Sequence, residues 1–144
     1  MEAKALGFSE IIDGSCETLS DGGRRITDGN GVDIVIDAIG GEVFSGALAT
    51  LAPGGTLITL GYSAGRKTTI DVTDVIWKSA TIKGFLLFAQ PPTAWKEAWK
   101  TVVRLLQSGG IKPIVAKTFA LAEASDALRY LIEDRPFGRV VLTI

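Results

Sequence analysis

Along the chain, short apolar runs rich in β-branched residues alternate with longer stretches of helical periodicity. "SEIID" (Ser9 to Asp13), "DIVIDAI" (Asp33 to Ile39), "TLITL" (Thr56 to Leu60) and "TIKGFLLF" (Thr81 to Phe88) predict strands. Between and after them, helical spacing predicts helices over Glu17 to Thr27, Glu42 to Leu51, Val72 to Lys78 and Thr93 to Ser108. Apart from its two aspartates, "DIVIDAI" is all Ile, Val and Ala, which predicts a parallel strand buried on both faces. Strands that alternate with helices imply βαβ crossovers with helices on both sides of one sheet. The turns agree. In "APGG", proline cannot continue the helix before it and glycine takes left-handed angles, and "QSGGIKP" ends the longest helix in the same way. Asp71 or Thr73 is placed to cap the short helix before Trp77. The last thirty or so residues predict strand, helix, strand, with Leu121, Ala124, Leu128 and Leu131 on one helix face.

The fold class is therefore α/β, a doubly wound parallel sheet followed by a strand–helix–strand extension, with a break placed near Gly109–Gly110. A length of 144 residues is one ordinary domain with a possible appendage. Composition narrows the chemistry. The net charge of −1 gives no basic face for nucleic acid or an anionic membrane. No apolar run approaches the roughly 20 residues of a membrane span, and the N-terminus lacks the features of a signal peptide. There is one cysteine, Cys16, and no histidine. That excludes an internal disulfide and nucleophile–histidine pairs and leaves too few ligands for catalytic zinc; a reducing cytoplasm is the expected compartment.

Ligands of open α/β sheets sit beyond the carboxyl ends of the strands. Those ends are "AIGG" (Ala38 to Gly41), "LGYSAG" (Leu60 to Gly65) and "FLLF" (Phe85 to Phe88). They offer backbone amides and carbonyls and small or apolar side chains, with little charge. Such a rim suits a flat neutral ring bonded through backbone groups, such as a nicotinamide carboxamide, better than a phosphate. At the strand end Asp37 is placed to accept from turn amides, and Arg66–Lys67 reads as a solvated loop, with a phosphate contact as the alternative.

The ordered series "LGFSEIID", "GNGVDIVIDAIGG", "LAPGGTLITLGYSAG", "ATIKGF", "SGGIKPIVAKTF" and "RPFGRVVLTI" resembles the cofactor domain of the medium-chain dehydrogenase/reductase superfamily, in its zinc-independent, quinone oxidoreductase-like branch. The resemblance covers essentially the whole chain. It implies an incomplete Rossmann-type sheet with strands equivalent to 3-4-5-6 of the order 3-2-1-4-5-6. It also implies a partial dinucleotide-binding domain over 1–110 and a C-terminal segment over 111–144 that returns to the catalytic domain. The cofactor would be NADP or NAD and the acceptor a small hydrophobic carbonyl compound or quinone. Ala38, Ile39 and Gly40 would line the adenosine-side ribose and pyrophosphate. Leu60, Gly61 and Tyr62 would pass under the nicotinamide, the backbone of Phe85 and Leu87 would bond its carboxamide, and Arg139 would reach the pyrophosphate. No residue is implied as catalytic and none as a metal ligand.

The chain departs from the superfamily in lacking a G-x-G-x-x-G loop; neither "DGGRR" nor "DGNG" follows a strand and opens a helix. By the resemblance, the first two strands and the domain before them lie outside this sequence, so it would bind cofactor weakly and be inactive by itself. Two repairs of the interrupted sheet are expected: "SEIID" slides beside "DIVIDAI", or a second chain covers that edge. The resemblance further implies a homodimer through the far edge strand "ATIKGFLL". Two alternatives stay open: an S-adenosylmethionine-dependent methyltransferase-like domain, which "LAPGGTLITLG" also resembles, and a non-catalytic interaction module.

Overall fold

A computed structural model describes residues 2–144. Its contacts divide the chain into two compact units, Ala3–Ala89 and Gln90–Ile144. The first opens with a helical turn, α1 (Glu2–Ala5), then α2 (Leu19–Ile26), β1 (Val32–Asp37), α3 (Gly41–Ala49), β2 (Leu51–Thr59), α4 (Val72–Ile76) and β3 (Thr81–Gly84), and it closes with a 3-10 turn at Leu87–Ala89. The three strands form one parallel sheet in the order β1-β2-β3. These are the strands expected as 4, 5 and 6, and the α/β fold class stands.

The expected first strand does not form. Residues 9–13 carry no strand, so β1 has no neighbour on its outer side among the described residues and the first repair is overturned. The reason is local. The Asp13 carboxylate accepts from the Ser15 amide (2.9 Å) and hydroxyl (2.6 Å), closing a turn at the end of the segment. A strand also needs a ladder partner, which Ser9–Asp13 lacks. Ile12 instead packs by Gly22 of α2, where a Cβ would stand 2.6 Å from Ile12 Cγ2.

Within the sheet, paired residues share a face. Val35 pairs with Leu57 and Leu57 with Ile82; Ile36 pairs with Ile58 and Ile58 with Lys83. The Val35–Leu57 face is packed. Ala47 and Leu48 of α3 join Leu51 and Leu57 in the core, flanked by Leu19 of α2 and by Ile70, Val75 and Ala80 around α4. The opposite face is bare, with Ile34 65% and Ile36 68% exposed. Burial of "DIVIDAI" on both faces is thus corrected: within this unit α2, α3 and α4 all serve one side. The "APGG" turn survives inside β2 as an irregularity. Register runs from Val32↔Leu51 to Ile34↔Thr56, and the extra residues of β2 loop out. The strand expected over residues 81–88 stops at Gly84.

The second unit holds α5 (Pro92–Gln107), β4 (Val115–Ala120), a 3-10 turn at Leu121–Glu123, α6 (Ala124–Glu133) and β5 (Arg139–Thr143), with β4 and β5 parallel. The expected strand–helix–strand is present, but the inward helix face is not the leucine row: Leu121, Leu128 and Leu131 are exposed while Ala127 is buried. Tyr130 meets Phe119 at 5.8 Å between ring centroids, so an alanine and an aromatic pair make the contact with β4.

Candidate functional site

The carboxyl ends of β1, β2 and β3 open onto a cleft of about 650 Å³ within the first unit. Asp37, the last residue of β1 and 3% exposed, lies behind the cleft and fixes the turn beside it. Its Oδ1 accepts from the amides of Ile39 and Gly40, both at 2.9 Å, and its Oδ2 accepts from the Thr59 hydroxyl at 3.3 Å. A buried carboxylate is costly unless hydrogen-bonded, and these three donors satisfy it. The sequence expectation for Asp37 holds: it fastens the turn.

The turns at the ends of β1 and β2 are then tied together by backbone. Leu60 N–H donates to Asp37 C=O (2.8 Å), Ala64 N–H to Ile39 C=O (2.8 Å) and Gly41 N–H to Gly65 C=O (3.0 Å). This close approach explains the glycines. Gly40 has φ +68°, and a Cβ there would stand 2.8 Å from Gly65 O; a Cβ on Gly61 would run into the Ala38 carbonyl. On the other side, Phe85 N–H continues the ladder to Thr59 C=O (2.8 Å), which commits that amide to the sheet.

The cleft brings together Gly40, Leu60, Gly61, Tyr62 and Phe85 from the sequence-derived set. Ala38 and Ile39 belong to the Asp37-bonded turn beside it, and Leu87 opens the 3-10 turn next to the lining residue Leu86. Arg139 lies in the second unit at the start of β5, exposed, with its amide donating to Ile114 C=O at 2.8 Å. Gly41 and Gly65 lie in the strand-end segments the sequence points to, whereas Phe44 of α3, Thr59, Gly84 and the Arg66–Thr68 loop are lining residues it misses. For Gly65 a signal exists, since a second glycine three residues after Tyr62 allows the close return toward Gly41. Arg66 and Lys67, expected in a solvated loop, are exposed and also line the cleft.

Chemically, the walls are mostly small or apolar, and among the described residues Arg66 and Lys67 are the charged ones on them. The N-terminus of α3 is no phosphate seat: Gly41 N–H is already bonded to Gly65, and Glu42 puts a carboxylate in the first turn. The fit is to a flat neutral ring, with an apolar floor and backbone at the rim. Gly84, where a Cβ would meet nothing within 4 Å, leaves room on the β3 side. Carboxyl groups held below their ordinary range lie elsewhere: Asp13 by the Ser15 hydroxyl and amide, Glu17 by Arg25, Asp71 by the Thr73 hydroxyl and amide. The cleft is built to hold and orient, with Tyr62 its one hydroxyphenyl group.

The sequence profile of the family described as zinc-binding dehydrogenase matches residues 6–142. The chain belongs to this family. Within it the chain sits in the quinone oxidoreductase-like branch of the medium-chain dehydrogenase/reductase superfamily, which sets aside the methyltransferase alternative. It is 25% identical over 141 residues to "Quinone oxidoreductase-like protein 2 homolog" of Nematostella vectensis, covering 95% of this chain and 39% of that protein. It is 30% identical over 149 residues to "2-haloacrylate reductase" of Burkholderia sp, covering 97% of this chain and 43% of that one. Among solved structures, a 2-haloacrylate reductase superposes with a TM-score of 0.83 at 30% identity, covering 99% of this chain and 45% of the other. A putative NADPH:quinone reductase from Bacillus thuringiensis gives 0.80 at 26%, covering 99% and 45%. The chain thus spans about two fifths of the length of these relatives. Despite the family's description, these 144 residues do not by themselves supply a donor set for catalytic zinc, since they hold no histidine and one cysteine, which is exposed.

Proposed function

We propose that this chain is the C-terminal part of an NAD(P)H-dependent, zinc-independent oxidoreductase that reduces a small electron-poor acceptor, a quinone or an enone. The observation that carries the reading is the apolar cleft at the carboxyl ends of three parallel strands, walled by turns that Asp37 and paired glycines lock in place. A bound nicotinamide supplies hydride at its ring. The chain's own residues position it: Leu60, Gly61 and Tyr62 pass beneath the ring, and the backbone of Phe85 and Leu87 meets its carboxamide. Because the Phe85 amide is spent on Thr59, that residue contributes its carbonyl, which accepts from the carboxamide NH₂. Ala38, Ile39 and Gly40 face the adenosine-side ribose and pyrophosphate. The apolar walls keep water from the reacting carbon.

In this reading residues 1–110 are a partial dinucleotide-binding domain and residues 111–144 serve the catalytic domain of the complete, cytoplasmic enzyme. Two copies associate through the outer edge of β3, which has no partner beyond β2 among the described residues. No helix among the described residues is long and apolar enough to cross a membrane.

Calorimetric titration of the full-length protein with NADPH and NADH tests the assignment. Binding of at least one at micromolar concentrations is expected, with this chain alone at least a hundredfold weaker. Absence of binding by the full-length protein defeats the function, and micromolar binding by the 144-residue chain alone defeats the partial-domain reading. A strictly monomeric protein in light scattering at micromolar concentration defeats the edge-paired dimer.

A further inference from the structure

Arg66 and Lys67 line the cleft, and no carboxylate lines it with them. Neither makes an ion pair or side-chain hydrogen bond among the described residues, although Arg25, Lys78, Lys100 and Arg129 each pair with an acidic neighbour. Their backbone is not free to wander. The residue before Arg66, Gly65, is held at both its backbone polar groups: its N–H donates to Tyr62 C=O at 3.1 Å and its C=O accepts from Gly41 N–H at 3.0 Å. Both cations therefore start from a fixed point on the rim, next to apolar walls that include Phe44, Leu60, Phe85 and Leu86. A cation presented beside apolar surface attracts an anion more strongly than one in open water, and a guanidinium matches a carboxylate with two parallel hydrogen bonds. A cleft meant only for neutral quinones has no use for two uncompensated positive charges.

We propose that Arg66 and Lys67 select an acceptor carrying a carboxylate beside its reducible double bond, an α,β-unsaturated acid, over the corresponding neutral compound. This rests on the nicotinamide reading above. The step balances: the alkene takes hydride at its β-carbon and a proton from solvent at its α-carbon, and the nicotinamide is oxidised, with the carboxylate unchanged. Arg66 and Lys67 orient the acid; they exchange no proton with it.

The test compares trans-2-butenoate with trans-2-butenamide as acceptors for the full-length protein. The ratio of their kcat/KM values is measured in the wild type and in the R66Q/K67Q variant, which alters two exposed loop residues. The ratio should fall at least tenfold in the variant, carried by KM for the acid. R66K/K67R, which keeps both charges, should retain most of it, and added salt should lower the wild-type ratio toward that of the variant. A ratio that stays within twofold overturns the proposal. So does a loss that falls on the dissociation constant of NADPH or NADH with the ratio unmoved, since the charges would then serve the cofactor's phosphates. Reduction of a quinone with no turnover of either butenoyl compound overturns this inference alone. Failure to bind either nicotinamide cofactor removes the function and the inference together.

Discussion

The two faces of the three-stranded sheet both carry β-branched and aliphatic residues and have opposite fates. On one, Val35 and Leu57 lie under α3, and Leu57 is fully buried. On the other, Ile34 and Ile36 stand about two-thirds exposed. Periodicity cannot separate them, because "DIVIDAI" is apolar on both. The difference lies in the connections that leave the strands, which all return over the same side. Helix α3 leaves β1 through the Asp37 turn, and α4 comes after β2 with Val75 against the same core. An apolar side chain is thus a demand for cover, and the cover has to be supplied by another element. Fully burying a side chain of this size stabilises by about 1.5–3 kcal/mol, a gain that Ile34 and Ile36 mostly forgo in this unit.

The largest effect should come from the covered face. Leu57→Ala removes a fully buried side chain from between α3 and the sheet and should cost about 2–5 kcal/mol in urea unfolding. A cost near zero would mean that the two faces do not differ. Next comes the floor of the cleft at the end of that face. Gly61→Ala drives a methyl into the Ala38 carbonyl, and the turns after β1 and β2 must part. Overpacking of this kind costs about 1–3 kcal/mol, and cofactor affinity of the full-length protein should fall at least tenfold. Wild-type affinity in that variant would show that the contact between the turns does not shape the site. Asp37→Ala leaves the amides of Ile39 and Gly40 without their acceptor, with an expected cost of about 1–3 kcal/mol. Asp37→Asn, which keeps one carbonyl oxygen, should lose less. Equal losses would mean that the carboxylate's fit, and not its hydrogen bonds, holds the turn.

On the bare face, Ile36→Thr should change stability by less than about 0.5 kcal/mol, as for ordinary surface positions. This substitution breaks the comparison most directly. A loss comparable to that of Leu57→Ala would mean that Ile36 is covered in solution.

The same contrast separates the features legible in the sequence from those that are not. β1, α3 and β2 are legible because a β-branched run, a glycine turn and a helical stretch each carry local signals that agree. So is the carboxylate of Asp37, since an acid at a strand end before two glycines has turn amides to accept from. The Ser9–Asp13 segment misleads because a strand is a property of two segments, and the segment's own alternation says nothing about whether a ladder partner exists. The leucine row of α6 misleads in a similar way: Leu128 and Leu131 are apolar at helical spacing, yet it is Ala127 that is buried and Tyr130 that meets Phe119 of β4. Around the cleft, residues flanking a strand end can be found from chain position alone. Arg66 and Lys67 look solvent-facing because Gly65 signals a close turn but not that its carbonyl meets Gly41 N–H and carries the next residues to the rim.

The smallest expected effect concerns the edge of the packed face. The short helix α4 contributes Val75 to the core and is fastened at its far end by Lys78, whose ammonium donates to Ala49 C=O at 2.7 Å and pairs with Asp74 at 3.2 Å. At its start the Asp71 carboxylate accepts from the Thr73 amide (2.9 Å) and hydroxyl (2.7 Å), and these bonds hold its pKa below the ordinary aspartate range. A carboxyl with a depressed folded pKa stabilises fully above its unfolded value, about 3.9, and that contribution is lost as the pH falls through the lower folded value. Because the group is exposed, the loss is local. The Thr73 amide resonance should therefore titrate with a midpoint below about 3.9, the ordinary aspartate value, while the methyl resonances of Leu57 hold still until global acid unfolding. A midpoint at or above the ordinary value would mean that Asp71 does not cap α4. Leu57 methyls moving together with Thr73 would mean that the cap, and not the Lys78 tether, keeps α4 over the sheet, so that the packed face would be less secure than its burial implies.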